Sequence, residues 1–128
     1  MTQNIPVPYD AEFQSPIPSI WRDCIIQIVE AFKDKDFERL NTLPSVQCID
    51  LAYAAEIAKN IDDYGAHLMS LAEESWHTSV CLYMENESWQ AMIDLFTIEE
   101  GRSDLIIDLF IFKKEDQFIF QINNIYVP

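Results

Sequence analysis

Residues Ile93–Phe110 read IDLFTIEEGRSDLIIDLF, a stretch that begins and ends with the same four residues around a polar centre holding one glycine. Side chains on a strand point to opposite faces in turn, so an apolar set at every second position marks one buried face. Leu105, Ile107, Leu109 and Ile111 form such a set without interruption. Gly101 suits the positive φ of a hairpin bulge, with Arg102 or Ser103 tying the turn. The two IDLF segments therefore read as antiparallel strands folded back on each other. Each would send Ile and Leu inward, and an aspartate and a phenylalanine outward.

The same alternation, rich in β-branched and aromatic residues, begins after Ser75 and continues to the C-terminus. It predicts strands over Trp76–Met84, Trp89–Thr97, Asp104–Phe112 and Gln117–Tyr126, joined by the short polar connections ENES, IEEGRS and KKED. A parallel return needs about a dozen residues, so these connections imply antiparallel neighbours. Followed through the hairpins, parity places Val80, Leu82, Met84, Ala91, Ile93, Leu95, Phe118, Phe120 and Ile122 beside the Leu105 set. Trp76 and Trp89 share that parity and read as core. The opposite face collects His77, Ser79, Cys81, Tyr83, Met92, Asp94, Phe96, Ile106, Asp108, Phe110, Phe112, Ile119, Gln121 and Asn123. In a symmetric register Asp94 faces Asp108, and in one slipped by two residues Asp108 faces Met92.

Upstream, the period is helical. Ile20, Trp21, Cys24, Ile25, Ile28, Val29 and Phe32 recur at helix spacing from Ser19 to Lys33. A short capped turn follows Asp36, and a longer helix is expected from Ser45, with an apolar stripe of Ile49, Ala52, Tyr53, Ala55, Ile57 and Ile61. Asp62 and Asp63 then suit the opening of a further helix ending near Glu74, within which Gly65 would permit close approach. Residues 1–18 hold four prolines and read as an extended arm, with Tyr9 and Phe13 as anchors. The expected fold is α+β: N-terminal helices over 19–75, packed on one face of a four-stranded antiparallel meander over 76–126. Residues 19–128 would form a single domain.

Twenty-two acidic against eight basic residues give a net charge of -14. A field of that sign disfavours nucleic acid, whose affinity rests on Lys and Arg contacts, and speeds encounters with basic proteins. No export signal or membrane span is read in the chain, and a cytoplasmic protein is expected. Cys24, Cys48 and Cys81 are odd in number, far apart and in apolar contexts, as reduced core thiols would be.

Chemical signatures are sparse. His67 and His77 lack metal-ligand spacing, and Glu99–Arg102 has one glycine and precedes a strand, so it is no phosphate loop. No cofactor is expected. Asp94 and Asp108 with His77 offer a pocket in which one carboxylate is an acid and the other a base, as in a ligand-binding or hydrolytic domain. The reading preferred is of a non-enzymatic binder. Asp94, Asp108, Glu99, Glu100 and Asp104 would supply charge to a basic protein partner, and Phe96, Phe110 and Tyr83 apolar anchors. A homodimer or a housekeeping interaction domain would use the same face.

The segment WQAMIDLFTIEEGRSDLIIDLFIF and the ending FQINNIYVP resemble an uncharacterised bacterial domain family. Its members carry an aspartate-aromatic strand, an EEGRSDL turn and a closing strand of the form I-x-x-I-x-V. The resemblance covers Trp89–Pro128 and, more loosely, IVEAFKDKDFERL and IAKNIDDYG; it implies a small α+β domain and no catalytic residues. In type, though not in motif, the chain is also similar to the small acidic immunity proteins that bacteria make against toxins. That likeness implies inhibition of a basic nuclease toxin by presented carboxylates.

Overall fold

The computed structural model describes residues 4–128. The elements run β1 (Ser15–Pro16), α1 (Ser19–Lys33), α2 (Phe37–Leu40), α3 (Leu51–Tyr64), α4 (Ser75–Thr78), β2 (Val80–Tyr83), β3 (Ser88–Thr97), β4 (Gly101–Lys114) and β5 (Gln117–Tyr126). The class is α+β. The sheet has five antiparallel strands in the order β1-β2-β3-β4-β5, one more than the expected meander. The extra strand comes from the proline-rich segment: Ser15 lies opposite Cys81 and Pro16 opposite Val80. Pro16 sits on an edge, where a missing donor does least harm. The arm also docks at Pro8 and Tyr9, whereas Phe13, expected as an anchor, is 64% exposed. Trp89 Nε1 donates to the Pro8 carbonyl at 2.7 Å, and the Tyr9 ring packs on Tyr83 and Trp89. Residues 1–3 of the arm lie outside the described residues.

The first helix buries Trp21, Ile25, Ile28, Val29 and Phe32 of the stripe its spacing called for, while Cys24 is half-buried and Ile20 exposed, and ends with Lys33 in the last turn, where a cation suits the helix dipole. α3 starts later than expected, at Leu51, because the Asp50 carboxylate accepts from the Ala52 N–H at 2.7 Å and caps the helix there. Asp62 and Asp63 close this helix and do not open another. Gly65 adopts φ 87°, its N–H donates to the Asp62 carbonyl, and the Ala66 N–H donates to that of Ile61, a Schellman ending. A Cβ at Gly65 would meet nothing within 4 Å, so the glycine serves conformation and not close approach. Trp76–Thr78, expected in a strand, belong to the short helix α4.

The packing centre is Trp21, whose ring meets Trp89, Phe118 and Phe120 edge-on at 5.4 to 6.2 Å between centroids. Beneath the helices lie Ala91, Ile93 and Leu95 of β3, Leu105, Ile107, Leu109 and Ile111 of β4, and Phe120 and Ile122 of β5, all buried as parity required, together with Ile125, which unbroken alternation would have turned outward. One strand is inverted relative to expectation. Cys81 lies opposite Ala91 and Tyr83 opposite Trp89, so these two join the helix side, and Val80, Leu82 and Met84 take the other face. The cause is loop length. Met84 N–H donates to Ser88 O, leaving only Glu85, Asn86 and Glu87 in the loop, with Asn86 and Glu87 at positive φ. A three-residue loop reverses the parity that a four-residue ENES loop would have set.

Candidate functional site

The sheet surface turned away from Trp21 carries the residues singled out by the alternation. On β3 it presents Gln90, Met92 and Asp94; on β4 Asp108, Phe110 and Phe112; on β5 Ile119, Gln121 and Tyr126; all are half-exposed. Register decides how the two aspartates meet. Met92 pairs with Asp108 and Asp94 with Ile106, so the slipped alternative holds and the carboxylates sit on a diagonal. Direct opposition of like charges, worth about 0.2–1 kcal/mol against the sheet, is thereby avoided.

Each aspartate has its own hydrogen-bond setting. Gln90 Nε2 donates to both carboxylate oxygens of Asp108 at 3.2 and 3.3 Å, and the Tyr126 hydroxyl lies 3.5 Å from Oδ2. Tyr126 shares this face because β5 is bulged: Asp108 pairs with Asn124 but Leu109 with Ile122, and the extra residue shifts the parity beyond it. Asp94 stands where β3 loses its neighbour. β2 pairs with β3 only as far as Met92, and the 67–69 segment takes over from Phe96, where the Met69 N–H donates to Phe96 O and the Ile98 N–H to His67 O. Hydroxyls fill the gap: Ser79 Oγ accepts from the Asp94 N–H at 2.9 Å, Ser75 Oγ donates to Asp94 O at 2.7 Å, and the Thr78 hydroxyl donates to the Asp94 carboxylate. Buried backbone groups need such partners wherever a ladder stops. Among the described residues neither aspartate has a Lys or Arg in ion-pair range.

The remaining acidic candidates gather at the β3–β4 turn, all exposed. Glu99 is clamped by His67. The ring Nδ1 lies 2.6 Å from Oε2 and the backbone N–H donates to Oε1 at 2.8 Å, and these two hydrogen bonds hold the carboxyl at about 2. The Tyr64 hydroxyl donates to Glu100 at 2.5 Å and accepts from the Asp104 N–H at 3.3 Å; bonding to the carboxylate pushes the phenol up. Gly101, at φ 72°, supplies the positive φ expected of it.

Two of the expected anchors are elsewhere. Tyr83 lies on the helix side, its ring 5.4 Å from that of Trp89, because of the inverted strand. Phe96 keeps the outward parity but is only 8% exposed, enclosed where the sheet bulges between Asp94 and Phe96. Phe110 does hold its place, with Phe112 5.8 Å away between ring centroids. His77 lines a cleft in which neither Asp94 nor Asp108 takes part, so the three-residue pocket is not assembled. The three cysteines are free. Burial pushes Cys24 to about 11 and Cys81 to about 12, whereas Cys48 is exposed and not a core thiol.

Gln90, Thr78 and Ser75 were not singled out as partners of the aspartates; Ser79 was placed on their face. Gln90 was reachable by parity, two positions from Met92; the serines and threonine depend on where β2 stops, and nothing local marks that point. Among the described residues no three His, Cys, Asp or Glu side chains converge as a metal site would require, and no helix is long and apolar enough to cross a membrane.

No curated protein and no solved structure matches the chain. Residues 29–128 match the family described as Domain of unknown function (DUF7668), and the chain belongs to that family.

Proposed function

We propose that this chain is a cytoplasmic immunity protein, a binder and not an enzyme, that neutralises a basic, nuclease-type bacterial toxin through the uncovered face of its sheet. The observation that carries the reading is a carboxylate set among exposed apolar groups. Asp108 lies beside Met92 and Phe110 with no Lys or Arg in ion-pair range among the described residues, in a chain of net charge -14. Such a face offers apolar area and a charge that a Lys or Arg of the partner can pair. Asp94 extends the charge across the face, and Glu99, Glu100 and Asp104 extend it to the turn. Phe110 and Phe112 are the anchors, in place of Phe96 and Tyr83.

The test is co-expression with the product of the neighbouring reading frame in a strain that this product kills. Restored growth, with a complex that survives low salt and separates at high salt, supports the reading. Phe110→Ala and Asp108→Asn should weaken the complex in a fold that remains intact. Continued killing, or a complex indifferent to both substitutions, overturns it. Self-association through the same face would instead identify a homodimer.

A further inference from the structure

On the side of the molecule where the arm, α1 and α4 meet there is a cleft of about 580 Å³. Its volume is that of a small-molecule site. Pro16, Val80 and Trp76 give it apolar walls, and Arg22, His77 and Glu73 are its ionisable residues.

Arg22 is held from two directions. Its Nε and Nη2 both donate to the Ile17 carbonyl, at 3.1 and 3.0 Å, and its guanidinium carbon lies 5.1 Å from the Trp76 ring centroid. Those bonds occupy the side edge of the guanidinium. The end edge, with one N–H from each terminal nitrogen, has no partner among the described residues. Nor, among the described residues, does any carboxylate lie in ion-pair range of Arg22, although Lys33, Lys35, Arg39 and Lys59 each have at least one. A planar, pre-positioned fork of two donors matches a carboxylate. Glu73 in the same cleft sets a limit, because its charge opposes multiply charged anions such as phosphate.

We propose that this cleft binds a small monocarboxylate with an apolar body, the carboxylate taken end-on by Arg22 and the body lying against Trp76, Pro16 and Val80. His77, exposed at the cleft, supplies a second donor. The cleft adjoins the edge of the uncovered sheet face, where Val80 pairs with Met92, but contains none of the partner-binding residues proposed above and stands or falls without them.

The experiment is a titration of the isotope-labelled full chain by NMR, with phenylpropionate as the probe and phenylpropionamide and inorganic phosphate as comparators. Saturable shifts at the Trp76 indole and His77 are expected with phenylpropionate. The uncharged amide should bind at least about tenfold more weakly, since one charged fork is lost. Glu73→Gln, an exposed substitution that leaves Arg22 in place, should tighten binding several-fold. Arg22→Gln should remove it, provided the indole spectrum shows the fold retained. Equal binding of acid and amide, tighter binding of phosphate, no tightening in Glu73→Gln, or no saturable shift at Trp76 would each overturn the proposal.

Discussion

The two faces of this sheet are built from interleaved positions of the same strands, yet they solve different problems. On the helix side Trp89, Ala91, Ile93, Leu95, Leu105, Ile107, Leu109 and Ile111 have no measurable exposure and pack around Trp21. On the other side Met92, Asp108, Phe110, Phe112 and Ile119 remain half-exposed. Apolar burial stabilises by roughly 25 cal/mol per Å², so the first face supplies the folding energy and the second withholds part of what it has. An apolar surface left open with carboxylates in it costs little if something else covers it. The contrast is what the proposed binding role rests on.

Trp21→Ala is the severest way to break the contrast, since it empties the centre of the covered face. It is expected to cost about 3–5 kcal/mol, read as a lowered denaturant midpoint. Ser79→Ala acts at the boundary between the faces. It leaves the Asp94 N–H without its acceptor and should cost about 1–3 kcal/mol, with faster hydrogen exchange at Asp94. On the open face, Phe110→Ala should destabilise by no more than about 1 kcal/mol while reducing partner capture. Equal losses for Phe110→Ala and Trp21→Ala in equilibrium unfolding would erase the distinction between the faces.

The smallest effect is expected at the turn. Glu99 has a folded pKa lowered from 4.5 to about 2, so its ionised form is favoured in the folded protein. The stabilisation is complete above the ordinary carboxylate value and is lost as pH falls from 4.5 toward 2. Glu99→Gln should flatten that acid limb of the thermal midpoint against pH and leave the two faces untouched.

The core set on β3, β4 and the first part of β5 was legible because period-two alternation holds there, up to the bulge that brings Ile125 inward, and the Glu115–Asp116 turn keeps the expected parity. The exchange of Tyr83 for Leu82 on the helix side was not legible. It turns on whether Ser88 ends the loop or begins the strand, a one-residue question that the closing hydrogen bond from Met84 decides. The candidate site divides in the same way. Asp94, Asp108 and Phe110 were placed correctly by parity, and Phe96 was correctly oriented but wrongly supposed open. The Ser75 and Ser79 hydroxyls serve Asp94 backbone groups freed where β2 departs, and that of Thr78 serves the carboxylate.

By itself the sequence determined the α+β class, the first helix, the Gly101 turn and the alternation that separates a covered face from an open one, because these follow from local period and local φ. Only the tertiary structure decided the fifth strand, the end of α3 at Gly65, the diagonal of Asp94 and Asp108 and the cleft beside Arg22. The docking of the arm, the register and the cleft depend on which distant segments meet. The helix end depends on which of two locally acceptable readings the assembled chain adopts. In both cases the choice is made by hydrogen bonds and packing that no stretch of residues carries alone.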